Sequence, residues 1–205
     1  MRNIPDVLVD RIGPLVEPLH EAFEAARYRL DTAFPGLIGP DQDWLRTHTL
    51  RGLLYQDLNR TGLSEGWTLG GGHNKNGAVH LVYGSAEIAV RVVHKVFGDT
   101  PPAGSNRLRR AFYTNAAIRE LSDEKDLPVQ NLLATWAENG ADEPFEIDVV
   151  RPIEPGRVGK GVRADLAFPL PRNRTAFEDL EFDTRDEDET LNFSWDDEDQ
   201  KDGDG

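Results

Sequence analysis

The stretch GAVHLVYGSAEIAVRVVHKVF, residues 77–97, decides the fold. Apolar residues alternate with other residues in two runs, at 79–83 and 88–92, which is the pattern of strands with one buried face. Gly84 follows the first run and supplies a residue suited to a tight turn. Together with the segment that begins at Gly66, this pattern predicts three antiparallel strands.

Two helices are predicted before these strands. Apolar residues recur on one helical face between Ile12 and Leu30, and Pro14 and Pro18 either split this helix or mark its start near Pro14. A second helix begins after Asp41, a suitable N-cap, and ends around Asn59 and Gly62. Its predicted apolar stripe consists of Trp44, Leu50, Leu53, Leu54 and Leu58.

After the strands, the sequence predicts a second helical pair and a closing hairpin. A third helix is capped by Ser105 and extends to Leu121, and a fourth runs from Asp126 to Asn139-Gly140. Residues 145–150 and 162–168 alternate in polarity and predict the hairpin. The fourth helix is predicted to bury Val129, Leu132, Leu133 and Trp136. Because the order ααβββααββ lacks βαβ alternation, the fold class is α+β.

Charge divides the chain into two parts. The net charge is −14, and residues 175–205 alone hold 14 carboxylates against two basic residues. This acidic segment has too few apolar residues to fold by itself. We therefore expect one globular domain over residues 1–174, followed by a flexible acidic tail whose removal barely changes the stability of the domain.

Composition excludes several classes of protein. The chain has no cysteine, so neither a disulfide framework nor a cysteine zinc site is possible. The first twenty residues carry charges without an unbroken apolar core, and no stretch of about 18 apolar residues occurs. The sequence thus predicts a cytoplasmic protein with no membrane association.

The sequence matches to catalytic and ligand-binding motifs lack the structural context or the spacing that those motifs require. Residues 62–66 match the G-x-S-x-G pattern, but a helix precedes Ser64 and a strand follows it, the reverse of a nucleophile elbow. The glycine-rich residues 70–77 match no phosphate-binding motif, and the histidines lack metal-ligand spacing. We therefore predict no catalytic residue, no metal ligand and no cofactor.

One enzymatic alternative stays open on the closing hairpin. Glu146, Asp148 and Asp165 share one predicted face, as the carboxylates of a metal-dependent nuclease or hydrolase do. Arg163 has the same strand parity, so an ordinary mixed-charge solvent face is the favoured explanation of these residues.

Basic residues concentrate around the third helix. Lys95, Arg107, Arg109 and Arg110 form a candidate anion-binding site, and Arg107 and Arg110 lie one helical turn apart. A solvated arginine face is the other interpretation. The Arg-rich segment 107–119 also supports the hypothesis of a nucleic-acid-binding regulator.

The acidic tail carries aromatic residues among its carboxylates. Such a segment can occupy a basic groove of a partner, with carboxylates in the place of phosphates and rings in the place of bases. The leading hypothesis is therefore a non-enzymatic macromolecule-binding protein, such as an inhibitor, an antitoxin-type neutraliser or a regulatory adaptor. Its partner is predicted to be a protein with a basic surface, for example a nucleic-acid-acting enzyme or a toxin. The candidate tail contacts are Phe177, Phe182, Phe193, Trp195, Asp196, Asp197 and Glu198.

Overall fold

The N-terminal region is helical, as predicted. The computed structural model describes residues 4–35, 42–63, 66–70, 77–84, 87–115, 130–140, 143–158 and 161–180. The helices of the N-terminal region are α1 (Ile4–Ile12), a 3-10 turn (Gly13–Leu15), α2 (Val16–Ala33) and α3 (Asp43–Thr61). The turn contains Pro14, so the predicted break in the first helix is confirmed.

The strands form one six-stranded sheet. They are β1 (Trp67–Gly70), β2 (Val79–Tyr83), β3 (Ile88–His94), β4 (Gln130–Ala137), β5 (Glu146–Pro152) and β6 (Ala164–Pro169). Their order in the sheet is their order in the chain, and all neighbours are antiparallel except β3 and β4, which are parallel. The α+β class, the three antiparallel strands and the closing hairpin are thus confirmed.

The second helical pair differs from the prediction. The segment expected to be the fourth helix contains β4, whose residues are buried on both faces of the sheet. Of the third helix, the structure shows α4 (Arg107–Phe112), capped by the side chain of Asn106 and not by Ser105. Residues 116–129 lie outside the described residues.

Helices cover one face of the sheet and enclose the main core. Phe23 of α2 packs against Trp136 of β4 and against Phe145, with ring centroids 5.2 and 4.9 Å apart. Leu50 and Leu54 of α3 belong to the same buried cluster. Trp136 is therefore a core residue, as predicted, although it stands on a strand. Within the described ranges, every helix is too short or too polar to traverse a lipid bilayer.

The described part of the connection from β3 to β4, residues 95–115, covers the opposite face of the sheet. Tyr113, directly after α4, is buried against Leu133 of β4 and Val150 of β5. Its hydroxyl donates a hydrogen bond of 3.0 Å to the carbonyl oxygen of Pro101. The segment that carries α4 is thereby fixed over the central strands.

The folded body extends beyond the predicted domain boundary. A short helix, α5 (Arg174–Glu178), begins at an Asn173 cap and places Phe177 in the main core. The Phe177 ring lies 5.8 Å from that of Phe168 and against Gly13, where a methyl group would lie 3.9 Å from the ring. The boundary at residue 175 therefore needs correction, and Phe177 is a core residue with no surface to offer a partner.

A buried histidine also joins the C-terminal segment to α2. His20 Nε2 lies 2.8 Å from the carbonyl oxygen of Leu170, and since a carbonyl only accepts, this nitrogen donates. Burial lowers the pKa of His20, and the positive charge of Arg172 adds to this effect, while the Leu170 bond and Glu24 oppose it.

This lowered pKa predicts a loss of stability in mild acid. The unfolded chain takes up a proton at His20 near its ordinary pKa of 6.5, and the folded chain takes it up only at lower pH. The free energy of unfolding should therefore fall as pH decreases below about 6.5. Urea denaturation at about pH 7.5 and about pH 5 measures this fall, which should be smaller in His20→Gln. An equal fall in both proteins would contradict the assignment.

Candidate anion-binding site

Three arginines from three elements influence one another electrostatically. Arg91 stands on β3, on the face opposite the core residues Val90 and Val92. Arg51 belongs to α3 and Arg109 to α4. We call Arg51, Arg91 and Arg109 the arginine cluster.

Electrostatics shows that the three positive charges act on one another. Burial lowers the pKa of the Arg51 guanidinium, and the positive charge of Arg109 lowers it further. The pKa of Arg91 is lowered by burial, then by Arg109, with a smaller contribution from Arg51. Arginine stays protonated at neutral pH in spite of such shifts. The positive charge of Arg109 therefore acts on both Arg51 and Arg91, and a bound anion would reduce this repulsion.

The arrangement differs from the other arginine sites of the molecule. Arg46, for comparison, donates to both Glu138 oxygens and to Asp31, which raises its pKa strongly. Among the described residues, no carboxylate forms an ion pair with Arg91. Arg91 therefore stands outside the ion-paired networks that hold the described residues together.

Rings surround the arginine cluster. His80 of β2 pairs in register with Arg91, and Phe112 stacks on the His80 ring at 5.9 Å with an interplanar angle of 22°. On α3, Arg51 lies 2.7 Å from His48 Nδ1, and the edge of the His48 ring meets Trp44 at 6.2 Å. These contacts place aromatic rings beside Arg51 and on the strand that pairs with Arg91.

The two histidines near the cluster are neutral at pH 7. Burial lowers the pKa of His80, and the charge of Arg91 lowers it further. Burial also lowers the pKa of His94, where Arg51 adds to the effect and Glu138 and Asp43 oppose it. His80 Nε2 is buried and makes no hydrogen bond to any part of the chain that the structure describes.

The structure retains only part of the predicted anion site. All three predicted arginines of α4 are exposed, namely Arg107, Arg109 and Arg110. Of these, Arg109 belongs to the arginine cluster, since its charge acts on Arg51 and Arg91. Lys95 does not belong to it, because its side chain is only 7% exposed and its Nζ lies 2.5 Å from both Glu146 and Asp148. Burial opposes the charged form of Lys95, but the bonds to these carboxylates outweigh burial and raise its pKa. Lys95 is therefore corrected to a structural ion-pair residue.

The predicted carboxylate site does not assemble. Asp165 forms an ion pair with Arg151, whose Nε also donates 2.6 Å to Gln130. Glu146 and Asp148 are instead engaged by Lys95. Within the described ranges, no group of three or more His, Asp or Glu side chains is placed to hold a metal ion.

Phe177 is the one predicted tail contact within the described residues. Phe177 is buried. The other candidate contacts lie outside the described residues, namely Phe182, Phe193, Trp195, Asp196, Asp197 and Glu198.

Sequence reasoning missed Arg51, Arg91 and the aromatic residues beside them. Arg91 has the strand parity opposite to Val90 and Val92, which was a usable signal for a charged side chain on the second face. Trp44, His48 and Arg51 have the spacing of one helical face. Trp44 was assigned to the apolar stripe of α3, but it is 64% exposed.

Comparison with known proteins adds no family to this description. No family model, curated protein or solved structure matches the chain. The geometry of the arginine cluster is therefore the basis on which a function can be assigned.

Proposed function

We propose that this protein is a non-enzymatic binding protein whose arginine cluster holds the phosphate groups of a single-stranded nucleic acid. The observation that carries the proposal is the convergence of Arg51, Arg91 and Arg109 from a helix, a strand and a crossover helix. Guanidinium groups bind phosphate oxygens in a bidentate manner, and they do so best where water is partly excluded. Arg51 and Arg91 are both half-buried.

The rings beside the cluster favour a single strand over a duplex. Proteins that bind single strands combine a positive surface with aromatic side chains on which unpaired bases stack. Trp44 is 64% exposed and stands two helical turns from Arg51 on α3. A helix that reads the major groove of a duplex presents several side chains to base edges. Helix α4 has only six residues, which is short for that role.

Reversing the charge of Arg109 tests the proposal. Arg109 is exposed, so Arg109→Glu should leave the fold intact. A hydrogen bond to a charged group contributes about 1.5–3 kcal/mol, so we expect affinity for a fluorescent single-stranded oligonucleotide to fall by about 10- to 100-fold. Each lost phosphate contact should also reduce the slope of log affinity against log salt by about 0.7.

A matched control separates the cluster from overall charge. Arg157 is exposed between β5 and β6, and Arg157→Glu changes the net charge by the same amount. Fluorescence anisotropy on the full chain should show almost unchanged binding for this variant. If Arg109→Glu and Arg157→Glu weaken binding equally, the arginine cluster is not the binding site.

A protein partner with a basic surface is the second candidate. Residues 181–205 contain 12 carboxylates, two basic residues and the rings of Phe182, Phe193 and Trp195. This composition supports binding to a nucleic-acid-acting enzyme or toxin, as an inhibitor, antitoxin-type neutraliser or adaptor would bind. Capture of a partner by the full chain but not by a chain that ends at Leu180 would support this function.

A further inference from the structure

A two-residue turn follows β3 and carries a fully exposed phenylalanine at its tip. Val96 and Asp99 exchange both backbone hydrogen bonds, of 2.9 and 3.0 Å, which leaves Phe97 and Gly98 between them. Both residues have positive φ, +53° for Phe97 and +83° for Gly98. These are the features of the tight turn in which Asn-Gly is the favoured pair.

Phenylalanine is a poor choice for this position on two grounds. Left-handed backbone conformation is unfavourable for a bulky L-residue, whereas glycine and asparagine tolerate it. Among the described non-glycine residues, Phe97 is the single one with positive φ. Its side chain is 102% exposed and so gains no burial from the fold. Local strain together with full exposure indicates that the ring acts outside the fold.

The position of this turn relates it to the arginine cluster. Phe97 follows Arg91 by six residues, a span of at most about 20 Å in an extended chain. The strand between them ends at His94, whose pKa is lowered in part by the positive charge of Arg51. The turn therefore extends from the end of the strand that carries Arg91.

We propose that the Phe97 ring stacks on an unpaired base of the strand whose phosphates the arginine cluster holds, an inference that rests on the proposed function. The ring is accessible to a base, since Phe97 is fully exposed. An apolar ring of this kind can stack on a base or insert between two bases.

The test replaces Phe97 without disturbing the turn. Asparagine suits the left-handed position, so Phe97→Asn removes the ring and should give a melting temperature equal to or above that of the parent chain. Stacking of one base on an aromatic side chain corresponds to roughly a 5- to 150-fold difference in affinity. We expect the full-length variant to bind a single-stranded oligonucleotide more weakly by this factor. Val158 is 90% exposed, and Val158→Asn serves as the matched control with unchanged binding.

A second oligonucleotide, identical except for abasic sites, identifies the base as the contact. The parent chain should lose affinity when the bases are removed, and Phe97→Asn should lose much less. Equal binding of the intact strand by the parent chain and by Phe97→Asn would overturn the role of Phe97 and leave the proposed function standing. Failure of the parent chain to bind any oligonucleotide, with Arg109→Glu also without effect, would overturn both.

Discussion

Trp136→Ala is expected to lower the free energy of unfolding by about 3–5 kcal/mol, the cost of emptying a large aromatic site in a core. The Trp136 ring is buried between the helices and the sheet, where it packs against Phe23, Phe145 and His94. A loss of this size is a large part of the stability of an ordinary domain. Urea denaturation followed by circular dichroism measures it.

Trp44→Ala is the matched control for that measurement. Trp44 is an exposed tryptophan on α3, and surface substitutions usually change stability by less than about 0.5 kcal/mol. The free energies of unfolding of Trp136→Ala and Trp44→Ala should thus differ by several kcal/mol. Similar unfolding midpoints for both would show that Trp136 is not a core residue.

Removal of α5 is expected to destabilise the protein to a similar extent. A chain that ends at Arg174 lacks Phe177, which is fully buried against Phe168 and Gly13. Loss of a buried phenylalanine costs about 3–5 kcal/mol. A chain that ends at Leu180 keeps these contacts and should unfold at nearly the same urea concentration as the full chain.

This pair of truncations replaces the expectation that residues 175–205 contribute little. The acidic composition of that segment concealed one short helix, α5, whose Phe177 is buried in the core. Equal midpoints for the two truncated chains would contradict the packing of α5. If only the chain that ends at Arg174 has a lower unfolding midpoint, the folded body includes α5 and needs no residue after Leu180.

The α+β class and most strands follow from the sequence because their apolar residues alternate. The same rule failed at Gln130–Ala137, where Leu132, Leu133 and Trp136 have the spacing of one helical turn. This strand lies between the helices on one face and the crossover on the other, so it buries residues on both faces. A continuous apolar run of this length does not distinguish a central strand from a buried helix.

The candidate site was harder to predict than the fold. The sequence indicated Arg109 through its basic neighbours, but Arg51 and Arg91 lie 40 residues apart in the chain and meet only through tertiary packing. Lys95 was predicted to bind an anion because its carboxylate partners are distant in the chain. Those carboxylates come from β5 and meet Lys95 only in the folded protein. Local composition predicts charge, and only the fold decides which charges compensate each other.

The parallel pairing of β3 with β4 has a consequence for synthesis of the chain. The other strand pairs are antiparallel and are joined by shorter connections. The parallel pair needs a longer connection, so residues 95–129 must be made before β4 can meet β3. At about 5–20 residues per second, this interval lasts roughly 2–7 s. Throughout it, β3 is an open edge to which another nascent chain can add a strand. Arg91 lies in the middle of that edge, and an inward-pointing charge is one of the devices by which proteins discourage such pairing. Arg91, which belongs to the proposed anion-binding site of the finished protein, is thereby also placed to discourage aggregation of the unfinished chain.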